Sequence, residues 1–222
     1  MARLPLVWVP QLPQRLLWDH NAYYGRWLLR RLPERVPSAL DVGCGAGWLA
    51  TALAERAGRV DAVDRSAEMI RLARAREANG VRWLVGDVLA DDLPLAEGYD
   101  LVTAVTCLHH MPLEPALHRL AGLVRPGGRL AVVGMYVPAT VADRAIEVLA
   151  LPANGLLGLA LAARGRAGKP YAPDMPVRVA TDPLATIRRA AAGIMPGAQV
   201  RRRLFWRYTL LWRRPAGSGD DQ

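Results

Sequence analysis

Two hydrophobic rhythms alternate along the middle of the chain. Short apolar runs at residues 39–42, 60–63, 81–85, 101–105 and 130–133 are rich in Val, Leu and Ala and mostly lack polar alternation. Runs of that kind fit strands buried on both faces of a sheet. Between them, segments 48–57, 66–78 and 113–124 carry apolar residues three and four apart, which predicts helices. Ser66 stands at an N-cap position, while Gly58 and Gly80 stand where the first two helices would close. Pro126-Gly127-Gly128 predicts the turn into the fifth strand. The order β-α-β-α predicts an α/β fold with a doubly wound, mostly parallel sheet and helices on both faces.

The rhythm changes at both ends. Residues 16–32 predict a helix with Trp18, Tyr23, Trp27 and Leu28 at apolar positions, ended by Pro33 and Pro37. Residues 137–196 read as helix and loop, with Thr181-Asp182-Pro183 as a helix start. From residue 198 to 213 the period is two. Val200, Leu204, Tyr208, Leu210 and Trp212 share one side, and arginines crowd the other, which predicts two more strands. The small, polar residues 215–222 predict a disordered tail.

Composition narrows the class. A chain of 222 residues that is 52% apolar and 22% charged can bury one real core and is not generally disordered. Cys44 and Cys107 are the only cysteines and form no CxxC, which argues against a disulfide scaffold or structural zinc. A reducing, cytoplasmic setting and no resident metal are therefore expected. Residues 1–13, with three prolines, do not read as a secretory signal. The apolar stretch 145–163 is interrupted by Pro152 and Asn154 and runs into Arg164. It falls short of the roughly 20 apolar residues of a bilayer span, so none is expected. The charge of +9 suggests an anionic partner, although Lys169 is the only lysine and part of the arginine excess reads as the composition of a GC-rich genome.

The chemistry concentrates at Asp41-Val42-Gly43-Cys44-Gly45-Ala46-Gly47-Trp48. A strand there runs into a glycine turn that opens a helix, letting backbone approach a ligand closely. A dinucleotide site wants GxGxxG with a small sixth residue, but that place is Trp48 and the third glycine comes one residue early. Asp41 beside the turn would repel a pyrophosphate and suit a ligand carrying an ammonium group. Asp64 ends the second strand, where an acid can hold both ribose hydroxyls. Asp87, in Gly86-Asp87-Val88, follows the third strand and could accept from an exocyclic amine. Each residue also has a plainer reading: a structural turn for the glycines, a helix N-terminal acid for Asp64, and a turn starter for Asp87.

With Tyr99-Asp100-Leu101-Val102 and Leu123-Val124-Arg125-Pro126-Gly127-Gly128 following in order, the chain resembles the class I S-adenosylmethionine-dependent methyltransferases over residues 37–136. It is similar above all to their quinone and secondary-metabolite branch. The resemblance implies a Rossmann-like seven-stranded sheet in the order 3-2-1-4-5-7-6, with strand 7 antiparallel, in a single domain with helical lid elements. It implies S-adenosylmethionine as cofactor and S-adenosylhomocysteine as product. The turn from Gly43 through Cys44 and Gly45 to Gly47 would cradle the methionine part, and Asp64 the ribose. Asp87 and Val88 would read the adenine, with Arg65 and Met69 flanking it. Thr106 and Cys107 would lie near the methionine end. The chain then divides into a helical cap (1–36), a cofactor-binding core (37–136), a helical insertion over the acceptor site (137–196), a strand pair completing the sheet (197–214) and the tail (215–222).

Methyl transfer asks the protein mainly to align an acceptor with the methyl, and needs a base only where the acceptor must lose a proton. His109 and His110, just past the fourth strand, are the candidate bases; alternatively they shape the loop. Tyr23 and Tyr24 of the first helix are candidates for contact with cofactor or acceptor, or else pack. Leu149, Leu151, Leu156, Leu157, Leu159 and Leu161 could roof an apolar acceptor pocket, or pack on the sheet. The expected acceptor is a small molecule, hydrophobic or anionic, methylated at O, N or C. A nucleic-acid acceptor is disfavoured: Thr106-Cys107-Leu108-His109 replaces the Pro-Pro-aromatic motif of base N-methylation, and no Pro-Cys precedes an attack on a pyrimidine. A non-methylating member of the fold, such as a cyclase, is the other alternative. The charge is uneven: +4 over residues 1–37, −2 over 38–136 and +7 over 137–222. The excess therefore lies outside the part expected to hold a cationic cofactor.

Overall fold

A computed structural model describes residues 18–165 and 178–216. The proline-rich start, Leu16 and Leu17 of the first predicted helix, and all of the expected tail after Ala216 lie outside the described residues. Seven strands form one sheet: β1 (Val36–Val42), β2 (Ala57–Asp64), β3 (Val81–Val85), β4 (Tyr99–Val105), β5 (Val124–Met135), β6 (Gln199–Arg203) and β7 (Arg207–Arg213). Their order is β3-β2-β1-β4-β5-β7-β6. Strands β1 to β5 pair in parallel, and β7 runs antiparallel to β5 and β6. The Rossmann-like order implied by the resemblance is the one observed.

Successive strand residues point to opposite faces, and each face has its own core. Leu40 and Val42 of β1, Val102 and Ala104 of β4, Leu130 and Val132 of β5 and Tyr208 and Leu210 of β7 pack on one side. Helices α4 (Leu113–Leu123) and α6 (Leu184–Ile194) cover that side through Leu117, Leu120, Leu184 and Ile187. The alternate residues Ala39, Leu101, Ala131 and Val133 meet α1 (His20–Leu29) and α2 (Trp48–Ala54) through Tyr24, Leu28, Leu49 and Leu53. The remaining helices are α3 (Ala67–Arg74) and α5 (Val141–Ala162).

Several boundaries move. The second predicted helix stops at Ala54, because residues 57–59 already pair with β1, Val36 with Ala57 and Ser38 with Arg59. Gly58 is therefore a strand residue, and a Cβ there would crowd the Pro37 carbonyl oxygen at 2.9 Å. Ser66 caps α3 as expected, accepting from Met69 N at 3.2 Å, but the helix ends at Arg74 and the chain turns at Glu77 and Gly80, both with positive φ. Strand β5 begins at Val124, and Pro126-Gly127-Gly128 makes an irregularity inside it: Tyr99 pairs with Val124 but Leu101 with Arg129. The N-terminal helix starts only at His20, because Asp19 caps it by accepting from Asn21 N and Ala22 N.

The largest departure is α5. The apolar stretch that Pro152 and Asn154 interrupt in the sequence lies within one continuous 22-residue helix. Its start is fixed by a capping box, in which Thr140 accepts from Asp143 N and the Asp143 carboxylate accepts from Thr140 N, Thr140 Oγ1 and Ala139 N. Asp143, buried, also pairs with Arg202 of β6. By length and composition this helix could cross a membrane.

Candidate functional site

The carboxyl ends of β1 to β5 converge on one edge, where open α/β sheets bind ligands. The turn after β1 is built on three left-handed glycines, Gly43, Gly45 and Gly47, with φ of 64°, 52° and 81°. A Cβ on Gly43 would run into Cys107, and one on Gly47 would meet Trp83 and Ala73 at under 3 Å. At Gly45 a Cβ would meet nothing within 4 Å. So two glycines let the turn sit tightly against the fold, while Gly45 faces open space.

Asp41 and Asp64 stand beside that turn, and a third acid, Asp87, follows β3. Asp41 is buried in β1; Thr103 of β4 donates to its Oδ1 at 2.8 Å, and its Oδ2 has no hydrogen-bond partner. Burial, and then the neighbouring Asp64 carboxylate, push its pKa up to about 7 against the pull of Thr103 and the Ala50 amide. Asp64, at the end of β2, accepts from Gly45 N at 2.8 Å through Oδ2 and from Ser66 N at 2.9 Å through Oδ1. Asp87 accepts from Leu89 N at 3.0 Å and lies 3.6 Å from Arg65 Nε. Asp64 thus ties the glycine turn to the cap of α3, and Asp87 shapes its own turn. These bonds leave acceptor capacity on both carboxylates. Met69 and Val88 are buried, and Arg65 is exposed. The orphaned Asp41 oxygen and the open space at Gly45 both fit a cationic ligand lying on the turn.

The far side of the edge is built by β4. Thr106 has φ 57°, a strained value for a β-branched residue that must be held in place. Its amide donates to Val133 O, and its hydroxyl donates to Asn21 Oδ1 at 2.9 Å. Cys107 donates to Val42 O at 3.1 Å. Burial pushes the thiols of Cys107 and Cys44 well above the ordinary range, so neither is a thiolate nucleophile. Both cysteines are free. His109 and His110 follow in a single 3-10 turn, their rings 4.2 Å apart. Burial, His110 and Arg207 lower the pKa of His109 to about 4, and its buried Nδ1 has no hydrogen-bond partner. His110 is also held below the usual value, by burial and Arg178 against the pull of Asp64. Both imidazoles are neutral near pH 7.

The tyrosines separate. Tyr24 is buried and donates to Leu204 O at 2.7 Å, and burial pushes its pKa up. Its hydroxyl is committed to the β6–β7 turn. Tyr23 packs edge-on against Trp18, Tyr24 and Phe205. Three leucines read as roof candidates, Leu149, Leu156 and Leu159, face outward from the fold; Leu157 and Leu161 pack inward with Trp18 and Phe205. Sequence reasoning missed Asn21 and Arg207. Asn21 accepts from both Thr106 and, at 3.3 Å, Arg207 Nη2, so one α1 side chain links β4 to β7. No motif marks either; only the helix position of Asn21 and a charged residue at a buried strand position hint at them.

Comparison with known proteins gives the family and the fold. The sequence model of the methyltransferase-domain family matches residues 39–128. An uncharacterized methyltransferase of Mycobacterium tuberculosis is 36% identical over 205 residues, covering 89% of this chain and 98% of that protein. The ubiquinone biosynthesis O-methyltransferase of Xylella fastidiosa is 33% identical over 133 residues, covering 56% of this chain and 52% of that protein. Among solved structures, magnesium protoporphyrin IX methyltransferase from Synechocystis with bound S-adenosylmethionine aligns with a TM-score of 0.54 at 20% identity. That alignment covers 87% of this chain and 77% of the other.

Proposed function

The chain belongs to the S-adenosylmethionine-dependent methyltransferase family, and from that premise we propose that it methylates a small, partly hydrophobic molecule at O, N or C. The observation that carries the reading is a glycine turn open at Gly45, held by Asp64 and preceded by Asp41 with its one unpartnered oxygen. In this reading the Gly43–Gly47 turn with Cys44, Thr106 and Cys107 holds the methionine part of the cofactor. Asp64 takes the ribose hydroxyls, and Gly86, Asp87, Val88, Arg65 and Met69 frame the adenine. Bound there, S-adenosylmethionine supplies a methyl already activated on a sulfonium. Asp41 and Asp64 place negative charge where a cationic ligand is favoured over a neutral one.

The protein's remaining task is positioning and, where needed, taking a proton. His109 and His110 are neutral imidazoles at the carboxyl edge of β4 and are the groups able to accept one. Tyr23 is the tyrosine left free to shape the acceptor side, since the Tyr24 hydroxyl is used by Leu204. The similarity to a ubiquinone biosynthesis O-methyltransferase supports an apolar acceptor with a hydroxyl. Free cysteines fit a cytoplasmic setting. The test is incubation with the cofactor and a panel of phenolic, carboxylate and amine acceptors, read by mass spectrometry. A product heavier by one methylene supports the reading. Cofactor binding with no methylated product across the panel, or product only on bulk RNA, counts against it.

A further inference from the structure

Helix α5 is two-sided in an unusual way. Its inner face is polar at key points: Asp143 pairs with Arg202, Asn154 O accepts from Trp18 Nε1 at 3.3 Å, and Asn154 Oδ1 lies 3.1 Å from His20 Nε2. Its outer face is apolar from end to end. Val141, Val148, Leu149, Leu156 and Leu159 are 58–85% exposed, and the other exposed residues between them are Ala142, Ala145, Pro152 and, at the edge of the stripe, Arg144. The helix has 22 residues, and from Val141 to Leu159 the stripe runs about 27 Å. An outward apolar face of this length is rare on a free surface and marks a site of association.

Charge selects the partner. Exposed Arg144 and Arg164 flank the stripe near its two ends. The two acids of the helix are turned away, Asp143 toward Arg202 and Glu147 toward Trp206. Residues 137–222 carry +7 in a chain of +9. A second copy of the chain would bring cations to cations on this face. An anionic lipid surface answers both features, apolar stripe and flanking arginines. The paired and bonded inner face keeps the helix lying on the protein, so it would rest in the interface and not cross it.

We propose that α5 docks the protein on anionic membranes, with its outer face in the headgroup layer. Through Asn154 the helix touches Trp18 and His20 at the start of α1, whose Asn21 holds Thr106 at the site edge. Docking therefore sets the acceptor side close to the bilayer, and the acceptor class is a membrane-resident amphiphile. This last step rests on the methyl-transfer reading; the docking itself does not.

The experiment is flotation of the full chain with vesicles of phosphatidylcholine alone and of phosphatidylcholine with phosphatidylglycerol. The expected result is flotation only with the anionic vesicles, weakening as salt rises. The double variant Leu149→Glu/Leu156→Glu should lose at least about tenfold in vesicle affinity, with unchanged Tm and unchanged cofactor affinity by calorimetry. Leu149→Ser/Leu156→Ser serves if the glutamates disturb folding. Arg144→Ala/Arg164→Ala should weaken binding in part. No flotation of the wild type, equal flotation of the leucine variants, or light scattering that shows a dimer dissolved by those variants would overturn the proposal. Failure of cofactor binding alone would sink the methyl-transfer reading and leave the docking standing.

Discussion

The Thr103 hydroxyl donates to Oδ1 of Asp41 at 2.8 Å, while the other oxygen of that buried carboxylate has no hydrogen-bond partner. Asp41 is therefore half satisfied, and burial raises its pKa to about 7. A group whose folded pKa is raised gives stability that is full below its unfolded pKa and is lost as pH rises through the folded value. For Asp41 that window runs from about 4 to about 7. A bound cation favours the charged form, so cofactor affinity should climb with pH and level off above about 7. Below it, affinity should fall toward about tenfold per pH unit. Calorimetry across that range checks this. Asp41→Asn should flatten the dependence, weaken binding and stabilise the ligand-free protein at alkaline pH; a flat wild-type profile would contradict the assignment.

The glycine turn separates folding from binding. Gly43→Ala meets Cys107 Sγ at 2.9 Å in a left-handed conformation, so it should cost about 1 kcal/mol or more of stability. Gly45→Ala meets nothing within 4 Å and should cost less. Both should weaken cofactor binding. Thermal melts and calorimetry on the two variants check this, and undiminished affinity in Gly45→Ala would show that the ligand does not lie on this turn.

His109 is expected to act as a neutral group. His109→Ala should lower kcat by about 100-fold or more if it takes the acceptor proton, with cofactor affinity unchanged. Its depressed pKa places any inflection in the rate profile near 4, well below neutrality. An unchanged kcat would return His109 to loop shaping and move attention to Tyr23.

Asp143 ties α5 to the sheet through Thr140, Ala139 and Arg202. Burial works against its charged form, but the Thr140 and Ala139 hydrogen bonds and Arg202 more than offset this and hold its pKa below the usual value. Its stabilising contribution is then present above the unfolded pKa and lost as pH falls through the folded one. Asp143→Ala should cost about 2 kcal/mol or more at neutral pH, from the lost cap and the stranded arginine. Urea titrations at neutral and acid pH check it: the gap between wild type and variant should shrink in acid.

How much of this was legible in the sequence depends on whether the signal was local. Strands β1 to β5 announced themselves as apolar runs, and the glycine turn with Asp41, Asp64 and Asp87 by spacing. Val81–Val85 was read to the residue. Helix ends were less readable, because the end of α2 is set by β1–β2 pairing and not by Gly58. The unbroken α5 was hidden by Pro152, which lies on the exposed face of a helix anchored at Asp143 and Asn154. The Asn21–Thr106–Arg207 link joins residues as far as 186 positions apart, and no local pattern records it.

The Asp64 edge is expected to bind S-adenosylmethionine. Titration calorimetry of that compound into wild type and Asp64→Asn tests it most directly. Asparagine keeps the shape and its one carbonyl oxygen can still accept from the Ser66 or the Gly45 amide, so both proteins should stay folded by circular dichroism. One site is expected in the wild type and at least about tenfold weaker binding in the variant, the loss of a charge-assisted bond. No heat with the wild type, or equal affinity in the two, would contradict it.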